Sequence, residues 1–438
     1  MNWRTCLVLA LISGIPRPAS PQSPSEVRID ISGAGQRIRI LCEPFAPSGG
    51  RDARSWSTQA DEVLAHDLEW SAVFTVARAW APGAQGLEPQ AVVGGKLTIN
   101  GGQIRLTGEV RDLPARRPIL AKEYRGALRD WRSLVHRFAD DIVLQFTGES
   151  GVSRTPIAFV TQSGSTKELC VMDYDGANLR ALTNDRSIAL SPAWAPDGSL
   201  LLFTSYRGGA GPRVFVIRAE GGRPYLVSGR RGLNTSASYS PDGQEILCTL
   251  SQDGNAEIYL LDARGGSARR LTSHGAIDTS PTWSPTGREI AFTSARGGTP
   301  QVYVMDHEGG NVRRLTYEVD YTDSPSWSPK GDRIAFVART AAGFDVYVCR
   351  PDGTGARLVV SGGSNENPRW SPDGRHLIFA SNREGSFRLY VTDLDDTPPR
   401  KLETGGRIAL SPAWGPRPPE GSSALNLNHL KPDSGGRP

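Results

Sequence analysis

Ser280-Pro281-Thr282-Trp283-Ser284-Pro285-Thr286-Gly287 is the stretch that decides the fold, because it recurs. SPAWAPDG starts at Ser191, SASYSPDG at Ser236, SPSWSPKG at Ser324, NPRWSPDG at Asn367 and SPAWGPRP at Ser411. The aromatic residues of the six copies are Trp194, Tyr239, Trp283, Trp327, Trp370 and Trp414, at intervals of 45, 44, 44, 43 and 44 residues. A period this even marks a repeat architecture, and every residue is then read by its place in the repeat. After each copy but the last comes an apolar alternating run such as Ile290-Ala291-Phe292. A Gly-containing turn, a second run such as Val302-Tyr303-Val304-Met305 and an element of the Arg-Arg-Leu-Thr kind follow. Each unit is therefore four short strands joined by tight turns. Pro fixes φ, Asp bonds backbone amides and Gly takes the conformation that a side chain forbids, so Pro-Asp-Gly is a hairpin corner.

A four-stranded unit cannot bury both faces alone, but copies packed radially form the blades of a β-propeller. The aromatic before each corner is expected to pack between neighbouring blades, each ring offering about 150–250 Å² of buriable surface. A strand group with no motif before it starts at Ile157, and the last motif, at Trp414, has no strands after it. Joining the two gives an all-β six-bladed propeller over residues 155–418, its ring closed by one C-terminal and three N-terminal strands. Residues 419–438 lack periodicity and are expected to be a disordered tail.

The residues before the propeller do not repeat, and residues 21–150 are expected to form an α/β domain. Residues 37–41 alternate as a strand, residues 61–68 suggest a helix, and residues 97–106 form a hairpin around Gly101-Gly102. A helix over residues 128–146 puts Trp131, Leu134, Val135, Phe138, Ile142 and Phe146 on one stripe. At the start of the chain, Arg4 precedes an apolar run from Cys6 to Ile15, which reads as a secretory signal peptide over residues 1–20. That run is too short for a membrane span, which needs roughly 20 apolar residues. The mature chain is expected to be exported.

Composition narrows the function. Lys+Arg 50 against Asp+Glu 46 leaves a net charge of +4, too thin an excess for a nucleic-acid partner. Cys42, Cys170, Cys248 and Cys349 stand far apart in apolar runs and read as buried free thiols. His66, His136, His274, His307, His376 and His429 show no metal-ligand spacing such as HExxH, and each reads as a surface or helix residue. There is neither a GxSxG elbow nor a P-loop, and Gly265-Gly266 and Gly309-Gly310 fall in equivalent turns. No catalytic residue, cofactor or metal is expected.

The polar residues at the start of each motif have two readings. Asn234, Thr235, Ser236, Asp278, Thr279, Thr322, Asp323, Asn365 and Glu366 should lie at the same end of successive blades, ringing one mouth of the central channel. They are either capped turns and solvated loops or a ring that receives a partner's loop or a cation, since a propeller's loop face is its usual binding surface.

Signal peptide, α/β domain, linker and six blades carrying SPxWSPDG together resemble the TolB family, the periplasmic component of the Tol–Pal system of Gram-negative bacteria. Glu26-Val27-Arg28-Ile29-Asp30-Ile31-Ser32-Gly33 is similar to the family's N-terminal strand, and residues 280–287 to its blade motif. The resemblance implies a non-enzymatic, monomeric adaptor. Its propeller mouth would dock the peptidoglycan-associated lipoprotein Pal through the nine residues above, and Glu26 to Ile31 would engage TolA. It also implies peripheral membrane association through partners and a role in envelope integrity during cell division. A histidine that the family often carries before the second motif is replaced by Leu233. The alternatives are a cell-wall- or glycan-binding propeller and the propeller of a peptidase complex; an enzyme would need acid–base groups that Asp278, Asp323 and Glu366 do not complete.

Overall fold

The computed structural model describes residues 37–50, 52–81, 88–209, 211–341, 343–395 and 397–418. The signal peptide, the segment Glu26 to Ile31 and the tail 419–438 lie outside them. The N-terminal part is one six-stranded sheet: β1 (Ile38–Cys42), β2 (Ala46–Gly49), β3 (Phe74–Arg78), β4 (Ala91–Asn100), β5 (Gln103–Asp112) and β6 (Arg117–Ala127). Its order is β3-β1-β4-β5-β6, with β2 beside β4. β1 runs parallel to β3 and β4, whereas β4, β5 and β6 form an antiparallel meander. Alternation along β5 is strict, Ile104, Leu106, Gly108 and Val110 facing in and their neighbours out, so this sheet has one wet face.

Two helices, α1 (Ala53–Trp70) and α2 (Trp131–Thr147), are held by contacts that the stripe on α2 predicts. Trp131 meets Trp56 edge-on at 5.7 Å, and Phe138 lies against Phe45 and Tyr124. Gly108 is fixed by that packing, since a Cβ there would sit 2.4 Å from the Phe138 ring. Gly148 ends α2 in the left-handed conformation (φ 75°), its amide bonded to Leu144 O, which frees the chain to turn toward the propeller.

The propeller contains six four-stranded antiparallel sheets. Blade 1 joins the C-terminal strand Ile408–Trp414 to β7 (Pro156–Ser163), β8 (Thr166–Asp173) and β9 (Arg180–Ala181). The inner strands of blades 2 to 6 are Ala189–Trp194, Asn234–Tyr239, Asp278–Trp283, Thr322–Trp327 and Asn365–Trp370. The second and third strands of each blade are almost wholly buried, as in Glu289–Ser294 and Gln301–Asp306, because both faces meet neighbouring blades. Trp283 shares a cluster with Leu247 and Leu260 of the preceding blade, and Trp370 with Val346 and Val348. The indole N–H groups complete the seam: Trp370 Nε1 donates to Ser326 O at 3.0 Å and Trp194 Nε1 to Ala413 O at 3.1 Å.

Each inner strand breaks its ladder at the same place. The residue three before the motif aromatic, Ser191, Ser236, Ser280, Ser324, Asn367 or Ser411, has φ between 46° and 54°, and the register shifts across it. This is a β-bulge repeated six times, and the proline that follows five of the six suits a position with no ladder bond to donate. The corner glycines, such as Gly243 (φ 73°) and Gly374 (φ 66°), take the left-handed form that the Pro-Asp-Gly reading requires.

All four described cysteines are buried and free. His376 departs from the sequence expectation: it is a buried strand residue, 4% exposed, with its ring 6.0 Å from that of Trp414. It begins the second strand of blade 6.

Candidate functional site

The inner strands run from one mouth of the central channel to the other, so equivalent residues form rings. The first ring position holds Asn234, Asp278, Thr322 and Asn365, all fully buried. They act inward, as pins: Asp278 within its own blade, and Asn234, Thr322 and Asn365 across to the preceding one. Asn234 accepts from Ser228 Oγ and Arg230 N and donates to three carbonyls. Asp278 receives Arg296 Nη2 at 2.8 Å, and Asn365 receives Arg383 Nη2 at 2.9 Å. Burial pushes the Asp278 carboxyl up, against the opposing pull of Ser294 and Arg296.

Those arginines belong to a second repeated device. Arg296 and Arg383 each bond the serine two residues before them, and each lies over two aromatic rings of its own blade, Phe292 with Tyr303 and Phe379 with Tyr390. Arg207 lies over Phe215 in the same way. The sequence signal is the recurring Ser-x-Arg in TSYR, TSAR and ASNR, which by itself also reads as a solvated turn after a strand.

The second ring position holds Thr235, Thr279, Asp323 and Glu366, all half-buried, and the third holds Ser236 at its bulge. Thr235 Oγ1 lies 3.1 Å from Thr204 Oγ1, and Thr293 Oγ1 donates to Asp323 Oδ1 at 2.7 Å, so Thr235 and Asp323 tie blades 3 and 5 to their predecessors. Burial raises the Glu366 carboxyl, opposed by Ser364 and by Lys167. The nine residues thus separate into buried pins and a half-exposed ring. Beside that ring the structure adds apolar surface: Ile277 is 56% exposed just before Asp278, Leu233 is half-buried just before Asn234, and Tyr206 is exposed at the equivalent end of blade 2. Arg339 stacks on Tyr321, 4.2 Å from its centroid. Exposed apolar residues around a polar ring are the make-up of a protein-docking surface.

The α/β part packs at the other end, against the corner turns. Glu149 reaches Lys330 at 3.1 Å and Arg375 at 3.2 Å, and Arg417 Nε donates to Gly151 O. The seam holds a buried ion network. Asp67 of α1 accepts from Tyr174 Oη at 2.5 Å and from His136 Nδ1 of α2 at 2.7 Å, while Arg132 pairs with Asp175. Asp67, His136 and Asp175 are close enough together to be tested as metal ligands. They fit poorly, because Asp67 occupies the Nδ1 side of the imidazole while Asp175, already paired with Arg132, faces Nε2 at 3.7 Å. Burial lowers His136, but Asp67 and then Asp175 outweigh it and hold it above its ordinary value; burial raises Asp67, but His136 and Tyr174 hold it below. The set is a charge-balanced clasp between the helices and blade 1.

Among the described residues no helix is long and apolar enough to cross a membrane. The sequence profile of the family described as TolB beta propeller domain matches residues 143–418. A Tol-Pal system protein TolB of Desulfosudis oleivorans is 38% identical over 277 residues, covering 59% of this chain and 62% of that relative. A protein TolB homolog of Chlorobium luteolum is 34% identical over 311 residues, covering 58% of this chain and 71% of the homolog. The chain therefore spans less than two thirds of the length of the first of these. Among solved structures, TolB from Acinetobacter baumannii superposes with a TM-score of 0.78 at 25% identity, over 87% of this chain and 97% of that one.

Proposed function

The chain belongs to the TolB β-propeller family, and from that membership we propose that it is a non-enzymatic periplasmic adaptor of a Tol–Pal system. It docks the lipoprotein Pal on the mouth ringed by Thr235, Thr279, Asp323 and Glu366, and it engages TolA through residues 26–31. The observation that carries the docking surface is the pairing of that half-exposed polar ring with exposed Ile277 and Tyr206 and half-buried Leu233, at the end of the channel away from the α/β part. Asn234, Asp278, Thr322 and Asn365 support the surface from beneath, since their side chains are spent inside the blades.

Such an adaptor couples its two partners only if Pal favours one state of the N-terminal segment over the other. Calorimetric titration of residues 20–438 with the soluble domain of Pal from the same organism tests the reading. The parent chain binds, and Thr279→Arg, which sets a long cation in the middle of the ring, loses at least tenfold in affinity. Deleting residues 20–31 abolishes TolA binding and spares Pal binding. A folded parent chain that does not bind Pal returns the propeller to an unidentified envelope ligand, and loss of both partners on deletion ends the two-site picture.

A further inference from the structure

The opposite mouth of the channel, at the corner turns, is a cavity of about 360 Å³ to which all six blades contribute. Its wall is a collar of the six motif aromatics and of the prolines that follow them, and no residue of the α/β part lines it among the described residues. Inside the collar, the residue before each aromatic faces the cavity. Five blades place Ala193, Ser238, Thr282, Ser326 and Ala413 there, and blade 6 alone places an arginine, Arg369.

Nothing in the fold accounts for that cation. Among the described residues Arg369 makes one long hydrogen bond, from Nη1 to the carbonyl of its neighbour Pro368 at 3.3 Å, and no salt bridge. The carboxylate that acts on it is Asp323, whose Oδ1 is already taken by Thr293 Oγ1 and Ser324 N. Burial pulls the Arg369 guanidinium down, with Asp323 opposing. A half-buried guanidinium with most of its donors unused is the unsatisfied half of a bidentate anion contact. A small, mostly apolar cavity with one convergent polar group is the form of a ligand site.

We propose that this mouth binds a small apolar monocarboxylate, its carboxylate on the Arg369 guanidinium and its apolar body against the indole and proline collar. The proposal is independent of Pal docking, which uses the other end of the channel.

The indoles of the collar supply the readout. The full chain is titrated with benzoate at constant ionic strength while tryptophan fluorescence is followed, with benzamide as the uncharged control. Arg369→Ser restores the residue type that the other blades carry, so it keeps the fold, which a thermal melt verifies; Arg369→Lys keeps the charge without the planar fork. A saturable change with benzoate in the parent, at least tenfold weaker in Arg369→Ser, intermediate in Arg369→Lys and absent with benzamide, supports the site. An unsaturable response, equal response to benzamide, or benzoate binding that survives Arg369→Ser overturns it.

Discussion

At the residue scale, the six bulge positions concentrate backbone strain. A non-glycine residue in the left-handed region costs about 1 kcal/mol, more when β-branched. Serine and asparagine tolerate it because their short polar side chains bond locally. We expect Ser280→Val to destabilise the chain by about 1–2 kcal/mol and Ser280→Gly to be neutral or stabilising by up to about 1 kcal/mol, read from urea unfolding. Equal stability of the two variants would show that the bulge relaxes freely. The Arg296–Asp278 pair makes a second case. Its carboxylate is fully buried and its guanidinium 18% exposed, so Arg296→Ala strands a buried charge and costs about 3 kcal/mol. Asp278→Asn added to it should recover most of that loss, and a double variant no better than the single one would deny the pair its role.

At the scale of elements, the strand Ile408–Trp414 carries the closure. It is the hydrogen-bonded partner of β7, places Trp414 and Ala409 in one interblade cluster and Ala413 in the next, and its Trp414 Nε1 donates to Thr155 Oγ1 at 2.8 Å. Ending the chain at Arg407 would leave β7 as an open edge beside two torn clusters, an invitation to edge pairing between molecules. Size-exclusion chromatography of that truncation is expected to show aggregate, and melting to lose its single cooperative transition. A monomer melting like the parent would mean that the ring stands without its clasp. Which strand closes which was legible in the sequence, because an unpaired motif and an unheaded strand group had only each other.

At the scale of the whole molecule, the clasp of Asp67, His136, Tyr174, Asp175 and Arg132 ties the helices to blade 1, and its charges make the tie depend on pH. His136 is held above its ordinary 6.5, so its share of stability is complete below that value and is lost as pH rises through the folded value. Asp67 is held below its ordinary 3.8, so its share is complete above that value and is lost as pH falls through the folded one. The stability difference between the parent and His136→Gln, measured by urea unfolding, should therefore be largest near pH 5–6 and shrink toward pH 9. A difference constant from pH 5 to pH 9 would mean that folding leaves the His136 pKa unshifted, and one that grows over that range would mean that His136 is neutral in the folded chain.

The sequence by itself determined the propeller, its blade number, its closure and the α/β class of the first part, because those rest on local events. Apolar periodicity, proline-fixed turns and glycines with positive φ repeat wherever the pattern repeats. Only the tertiary structure decided which polar residues face outward. Asn234 and Thr235 are neighbours in one motif, yet one is wholly buried against a carbonyl of the preceding blade and the other half-exposed, because strand alternation and a bulge set the faces. The same holds for His136 and Asp67, which are 69 residues apart and meet only when two helices pack, and for Arg369, one of 50 basic residues until six inner strands enclose it. Burial and long-range charge are sums over many chain segments, and no single stretch of sequence carries them.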